Sequence, residues 1–202
     1  MSASFCPAQR IDIAQGELWL AEGFLSPRTA DRLLEGLLEK ADWRQPEIKL
    51  FGRVVKSPRL AAWYGDPGAV YTYSGLRNEP LPWLDELASL RHRLEAFSGA
   101  HFNSVLLNLY RDNRDSMGWH SDDEKELDRN PVIASLSLGA TRRFRLQPRK
   151  GRSEPGVDLE LGHGALLLMA GETQHHWRHS VPKSSKPLGP RVNLTYRNIL
   201  IW

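Results

Sequence analysis

Arg191-Val192-Asn193-Leu194-Thr195-Tyr196-Arg197 alternates polar and apolar side chains over its whole length, and that alternation decides how the C-terminal half of the chain is read. Successive side chains on a β-strand point to opposite faces, so Arg191, Asn193, Thr195 and Arg197 share one face and Val192, Leu194 and Tyr196 the other. Two fixed cations on an inward strand face call for an anion. At about 3.3 Å per residue the arginines stand roughly 20 Å apart at Cα, too far to fork one carboxylate but suited to gripping opposite ends of a small dicarboxylate.

Working outward, the same period of two recurs from Phe102 onward. Phe102 to Tyr110 puts Val105, Leu107 and Leu109 on one face and Leu106, Asn108 and Tyr110 on the other. Further strands are predicted at 132–138, 143–147, 157–161, 165–169 and 192–199, separated by Gly139, Pro148, Gly162-His163-Gly164 and Gly171. Ahead of them come two helices. Ser26-Pro27 reads as an N-cap with proline at the first helical position, and Leu33, Leu34, Leu37 and Leu38 form a stripe of helical period ending near Ala41. The second is expected from about Pro82 through Leu84, Leu87, Leu90, Leu94 and Phe97, with Gly99 as its stop. Residues 44–80 carry no helical pattern and predict hairpins or ordered loops. The fold class is α+β, mainly β: a double-stranded β-helix, or jelly roll, with two N-terminal supporting helices.

Bulk properties exclude several classes. The chain has 202 residues, 41% of them hydrophobic and 25% charged, so one ordered domain with a real core is expected rather than disorder. A net charge of +3 permits a polyanionic partner without demanding one. The single cysteine, Cys6, rules out an internal disulfide framework and fits a reducing compartment. No apolar run approaches the ~20 residues of a membrane span and no signal core opens the chain. The expectation is a soluble intracellular monomer without a membrane partner, cytoplasmic if bacterial and nuclear if eukaryotic.

His120-Ser121-Asp122 follows the strand that carries Asn108 and Tyr110. Two histidines and one aspartate are the ligand set of a mononuclear non-haem iron(II) site, and His163, His175, His176 and His179 compete for the third place. His163 sits in a Gly-His-Gly turn, where solvation is expected, and His175 and His176 in a loop. His179 is favoured because Ser180-Val181-Pro182 leads directly into the arginine strand. A jelly-roll binding module or zinc hydrolase with a fortuitous His-x-Asp is the competing reading, which the paired arginines oppose.

In their order and spacing, Asn108-x-Tyr110, His120-Ser121-Asp122-Asp123, His179-Ser180-Val181-Pro182 and the Arg-x-Asn-x-Thr-x-Arg strand resemble the AlkB family of iron(II)- and 2-oxoglutarate-dependent dioxygenases. The resemblance is strongest to the subgroup that repairs double-stranded DNA. It is dense from 102 to 199 and continues more loosely back to about 48 through Leu50-Phe51-Gly52, Tyr64-Gly65-Asp66 and Tyr71-Thr72-Tyr73-Ser74-Gly75, leaving residues 1–20 as an extension to a single domain, 21–202.

The resemblance implies that His120, Asp122 and His179 hold Fe(II), with 2-oxoglutarate and O2 as cosubstrates. It implies that Asn108 and Tyr110 hydrogen-bond 2-oxoglutarate and that Arg191 and Arg197 pair with its carboxylates, assisted by Asn193 and Thr195. Arg191 on the distal carboxylate and Arg197 toward the metal is the expected order, which strand phase alone does not fix. The implied reaction oxidatively demethylates N-alkylated bases of the 1-methyladenine and 3-methylcytosine type in DNA. It releases succinate, CO2 and formaldehyde and reverses alkylation damage directly. A base inside a duplex cannot reach such a site, so the nucleotide is flipped out and recognised by a lid at about 44–80. Tyr71 and Tyr73 would meet the flipped base, Tyr73 stacking on it, with Asp123 favouring its positive charge. Phe51, before Gly52, would fill the gap in the duplex. Arg53, Lys56, Arg59, Arg142, Arg143, Arg145, Arg149, Lys150, Arg152, Lys183 and Lys186 are the candidate phosphate contacts. The alternative is a dioxygenase of the same fold acting on RNA, protein or a small molecule.

Overall fold

The computed structural model describes residues 8–50, 53–73, 76–149 and 153–200. In chain order the elements are β1 (Gln9–Ile11), β2 (Glu17–Ala21), α1 (Pro27–Lys40), β3 (Glu47–Leu50), β4 (Arg53–Lys56), β5 (Leu60–Gly65), β6 (Tyr71–Tyr73) and β7 (Leu76–Asn78). Then follow α2 (Asp85–Ser98), β8 (Ser104–Tyr110), β9 (Met117–His120), β10 (Ile133–Gly139), β11 (Arg142–Pro148), β12 (Val157–Leu161), β13 (Leu166–Ala170), α3 (Thr173–His176), β14 (Trp177–Val181) and β15 (Arg191–Arg197).

Two antiparallel sheets carry the fold: β1-β2-β13-β10-β15-β8-β5 and β12-β11-β14-β9. Alternation along the strands sorts side chains into two cores. Leu107, Leu136, Val192, Leu194 and Tyr196 pack with Leu37 of α1 and Leu87 and Leu94 of α2, so the helices cover one face of the larger sheet. Tyr110, Ile133, Leu167 and Met169 pack with Phe144, Leu146 and Trp177 of the smaller sheet, so the second core lies between the sheets. This is the expected jelly-roll arrangement. The polar positions of β15 therefore face the space between the sheets, and all seven residues of that strand are buried.

Local chemistry accounts for the helix ends. Ser26 caps α1, its side chain accepting from the Thr29 N–H, Pro27 follows it, and Ala41 is the C-cap. Gly99, at φ 70, ends α2 in the left-handed conformation that lacks a steric cost only for glycine. The α2 start differs from the expectation: residues 82–84 are not helical. Leu81 is tied to β5, its N–H donating to the Trp63 carbonyl and its own carbonyl accepting from Gly65. The chain stays extended up to the N-cap, Leu84.

Four further differences have one physical origin each. The stretch before residue 21 was set apart as an extension, but β1 and β2 lie in the larger sheet and Leu18 is fully buried. Leu18-Trp19-Leu20-Ala21 lacks polar alternation because both faces of β2 pack on apolar cores, Trp19 and Ala21 on one and Leu18 and Leu20 on the other. Within 44–80 the hairpins β3–β4 and β6–β7 match the expectation, whereas β5 is an edge strand of the large sheet. His175 and His176 close a short helix, α3, rather than a loop. His163 is not a solvated turn residue: its Nδ1 accepts from the Gly139 N–H and its Nε2 lies 3.2 Å from Asp31, pinning the β12–β13 turn to α1.

Candidate iron and cosubstrate site

The centre of the site is made by strand register. In the β14–β9 pair His179 stands directly opposite His120, and a register shift follows before Val181. Their ring centroids are 4.2 Å apart. Asp122 lies just beyond β9, with its oxygens 4.0 Å from His120 Nε2 and 3.9 Å from His179 Nε2. The three donor atoms lie within 4.8 Å of one another. Of the four histidines that compete in the sequence, only His179 reaches His120 and Asp122 among the described residues.

The protonation states suit a cation. The His120 Nδ1 is 2.9 Å from the Gly118 carbonyl, which can only accept, so the proton sits on Nδ1 and the lone pair of Nε2 faces Asp122. Burial, and then the neighbouring His120, lower His179 to about 3, so its imidazole is neutral. Burial lowers His120 as well. Burial opposes ionisation of Asp122, but Arg197, His179 and His120 together outweigh it and hold the carboxyl below its usual range. Arg197 Nη2 donates to Asp122 Oδ1 at 2.5 Å. Two neutral imidazoles and a carboxylate converging this closely fit a divalent transition metal with positions left open.

Two bonds hold the ligand segment. The Asp122 N–H donates to Gln174 Oε1 at 2.9 Å, and Ser121 Oγ donates to the Trp177 carbonyl at 2.8 Å. Gln174 lies in α3 and Trp177 directly follows it, so the turn before β14 fixes the residues after β9. Gln174 was not foreseen, and no sequence signal marks it.

A cavity of about 390 Å³ opens over this centre, lined by His120, Asp122, Asn108, Arg197, Leu106 and Trp63 among others. β8 contributes Leu106 and Asn108 to its wall and β15 contributes Arg197, whereas Arg191, Asn193, Thr195 and Tyr110 do not line it. They lie farther along the same strand pair, where Asn193 pairs with Asn108 and Arg191 with Tyr110. Asn193 donates to Ser135 Oγ and accepts from Thr195 Oγ1. Arg191 is 1% exposed; Nη2 donates to Ser137 Oγ, while Nε and Nη1 have no hydrogen-bond partner among the described residues. Burial lowers it to about 10, which leaves it charged at neutral pH. A buried guanidinium facing hydroxyls but no carboxylate is a seat for an anionic ligand.

A family model described as the 2OG-Fe(II) oxygenase superfamily matches residues 17–197. The human alpha-ketoglutarate-dependent dioxygenase alkB homolog 3 is 44% identical over 188 residues, covering 89% of this chain and 65% of that protein. The human DNA oxidative demethylase ALKBH2 is 41% identical over 181 residues, covering 85% of this chain and 69% of the relative. The chain belongs to the AlkB family of 2OG-Fe(II) oxygenases. The solved structure of OsALKBH1 covers 95% of this chain with a TM-score of 0.65 at 18% identity, a likeness of fold. The chain thus spans 65% of the length of the alkB homolog 3 relative. The family is one that uses Fe(II) and 2-oxoglutarate, and the His-Asp-His cluster is where this AlkB-family chain could hold the metal.

The remaining expected positions separate. Asp123 is exposed, and Arg149 Nη2 donates to its Oδ2 at 2.5 Å. Tyr71 and Tyr73 are on β6, with only their backbone described; Phe51, Gly52, Lys150 and Arg152 lie outside the described residues. Two expected phosphate contacts are corrected. Arg59 is 4% exposed, and its Nε donates to Asn108 Oδ1 at 2.7 Å. Arg142 is 2% exposed and bound to backbone carbonyls. Both are interior residues: Arg142 is the first residue of β11, and Arg59, just ahead of β5, reaches across to Asn108 of β8. Arg143 and Arg145 are half-exposed and share Asp158. Among the described residues no helix is long and apolar enough to cross a membrane.

Proposed function

We propose that this chain is an oxidative dealkylase of N-alkylated bases in nucleic acid, acting on DNA. The observation that carries the reading is the cross-strand pair His120–His179 with Asp122 between them, set against Arg197 at the base of the cavity. In this reading His120, Asp122 and His179 hold iron(II). Together with 2-oxoglutarate and O2 the metal supplies hydroxylation of the N-alkyl carbon, giving succinate, CO2 and, from the hydroxymethyl base, formaldehyde.

The chain's own residues bind and orient. Arg197, already on Asp122, takes the carboxylate end nearer the metal, and Arg191, six positions earlier on the same strand face, takes the distal one. Asn108 and Tyr110 contribute from the facing strand, while Asn193 and Thr195 stiffen the floor through Ser135. Arginine suits both ends because its fork binds a carboxylate through two N–H groups. The flipped base enters beside Leu106 and Met117, which keep water from the reacting carbon. Tyr73 stacks on it and Phe51 takes its place in the duplex. Asp123, next in the chain to Asp122, would favour a cationic methylated base over a neutral one once Arg149 lets go of it.

The test is mass spectrometry of a duplex oligonucleotide carrying one 1-methyladenine, incubated with the protein, Fe(II) and O2, with and without 2-oxoglutarate. Loss of one CH2 unit only when 2-oxoglutarate is present is the expected result. Turnover of 2-oxoglutarate with an intact methyl group in DNA, and demethylation of the matching RNA, would move the substrate to RNA.

A further inference from the structure

Tyr110 lies between two buried arginines. Arg191 from β15 and Arg142 from β11 each place a guanidinium carbon 5.2 Å from the centre of its ring. The two cations reach the ring from different sheets, since β15 and β8 belong to the larger sheet and β11 to the smaller. Among the described residues Arg142 pairs with no carboxylate. Its Nη2 donates to the carbonyls of Asp115, at 2.7 Å, and Pro182, at 2.8 Å, and Nη1 to that of Asp112, at 3.2 Å. The nearby carboxylates are engaged elsewhere, Asp115 by Arg111 and Asp112 by Arg114.

Charge placed this way is costly unless something negative joins it. Burial lowers the proton affinity of both arginines, and the neighbouring charge of Arg142 lowers that of Arg191 further. Arg142 cannot itself grip a ligand through its Nη groups, which are bound to backbone. It can fix the plane of the Tyr110 ring and add positive potential where the unpartnered Nε and Nη1 of Arg191 wait.

We infer that Arg142 is a positioning residue for the cosubstrate: clamped by three carbonyls and packed on Tyr110, it sets the phenol and strengthens the seat of the distal carboxylate at Arg191. This rests on the functional reading above, in which that carboxylate belongs to 2-oxoglutarate.

Calorimetry separates this role from simple structural support. The Mn(II)-loaded protein is titrated with 2-oxoglutarate and with pyruvate, which has the same 2-oxo acid end but no distal carboxylate. Arg142→Met is expected to weaken 2-oxoglutarate about tenfold, the scale of one lost charge-assisted interaction, and to leave pyruvate within about twofold. Arg142→Lys should recover part of the loss. Unchanged 2-oxoglutarate affinity in Arg142→Met, or equal losses for both ligands, would overturn the inference. Should Arg142→Met fail to fold, Arg142→Lys and Tyr110→Phe are combined. Losses that exceed or fall short of additivity support coupling through the ring, and strictly additive losses overturn it. A wild-type protein that binds neither ligand overturns the functional reading beneath it.

Discussion

At the scale of single residues the site depends on Asp122, which faces two imidazoles and a guanidinium at once. Asp122→Ala removes a ligand and the carboxylate beside buried Arg197, so turnover should be abolished. Stability should fall by about 3 kcal/mol, the cost of removing one partner of a buried pair. Urea denaturation and Mn(II) titration check this, and unchanged Mn(II) affinity would refute the metal assignment. Gln174 offers a subtler test, because it touches the backbone of Asp122 and not its carboxylate. Gln174→Leu leaves the Asp122 N–H without its acceptor, at a cost of about 1–3 kcal/mol, and should loosen Mn(II) binding with the ligand set intact. Affinity equal to wild type would show that Ser121 and Trp177 suffice to hold the segment. His120 and Asp122 were legible in the sequence as a motif, and His179 through its place before the arginine strand. Gln174 and Arg142 were not, because a side chain that bonds to backbone carbonyls or amides leaves no pattern of residue types.

Elements transmit these constraints through their ends. Gly139 terminates β10 at φ +87, opposite Arg191, and a Cβ there would run into the Pro190 carbonyl. Gly139→Ala therefore combines a strained backbone with a clash against Pro190, immediately before β15. It should destabilise the protein by about 2–3 kcal/mol and weaken 2-oxoglutarate more than Mn(II), since it disturbs the Arg191 end and not the metal end. Thermal denaturation with paired titrations decides it; equal loss for both ligands would mean the strain spreads along the whole strand. The strands that alternate were readable, β8 and β15 above all, because one face meets the apolar helices and the other a polar interior. β2 and β5 were not placed in the large sheet, since their sequences show little alternation. β9 and β14, which carry the histidines, are not legible in the sequence: β9 has four residues with Gly118 among them, and the run Arg178-His179-Ser180 inside β14 is polar on both faces.

On the scale of the whole molecule the fold holds a neutral imidazole, that of His179, buried away from water, and this makes stability depend on pH. His179 has a proton affinity of about 3 when folded against an ordinary value of 6.5. The unfolded chain therefore takes the proton first. The penalty is absent above about pH 6.5 and grows as the pH falls toward 3, by roughly 1.4 kcal/mol per unit for one histidine. Between pH 7.5 and 5.5 the metal-free protein should lose roughly 1.4 kcal/mol more than His179→Gln does, as read from urea midpoints. Parallel profiles for the two proteins would show that His179 is not held neutral. The sequence by itself determined the jelly-roll class, the two helices, the inward polar face of β15 and the residue types of the iron site, because alternation and motif spacing are properties of neighbours along the chain. Only the tertiary structure decided that His179 stands opposite His120, that Arg59 and Arg142 turn inward, and that Arg197 meets Asp122 while Arg191 stands at Tyr110. Those are facts of register between distant strands, fixed by which faces the two sheets and the helices bury together.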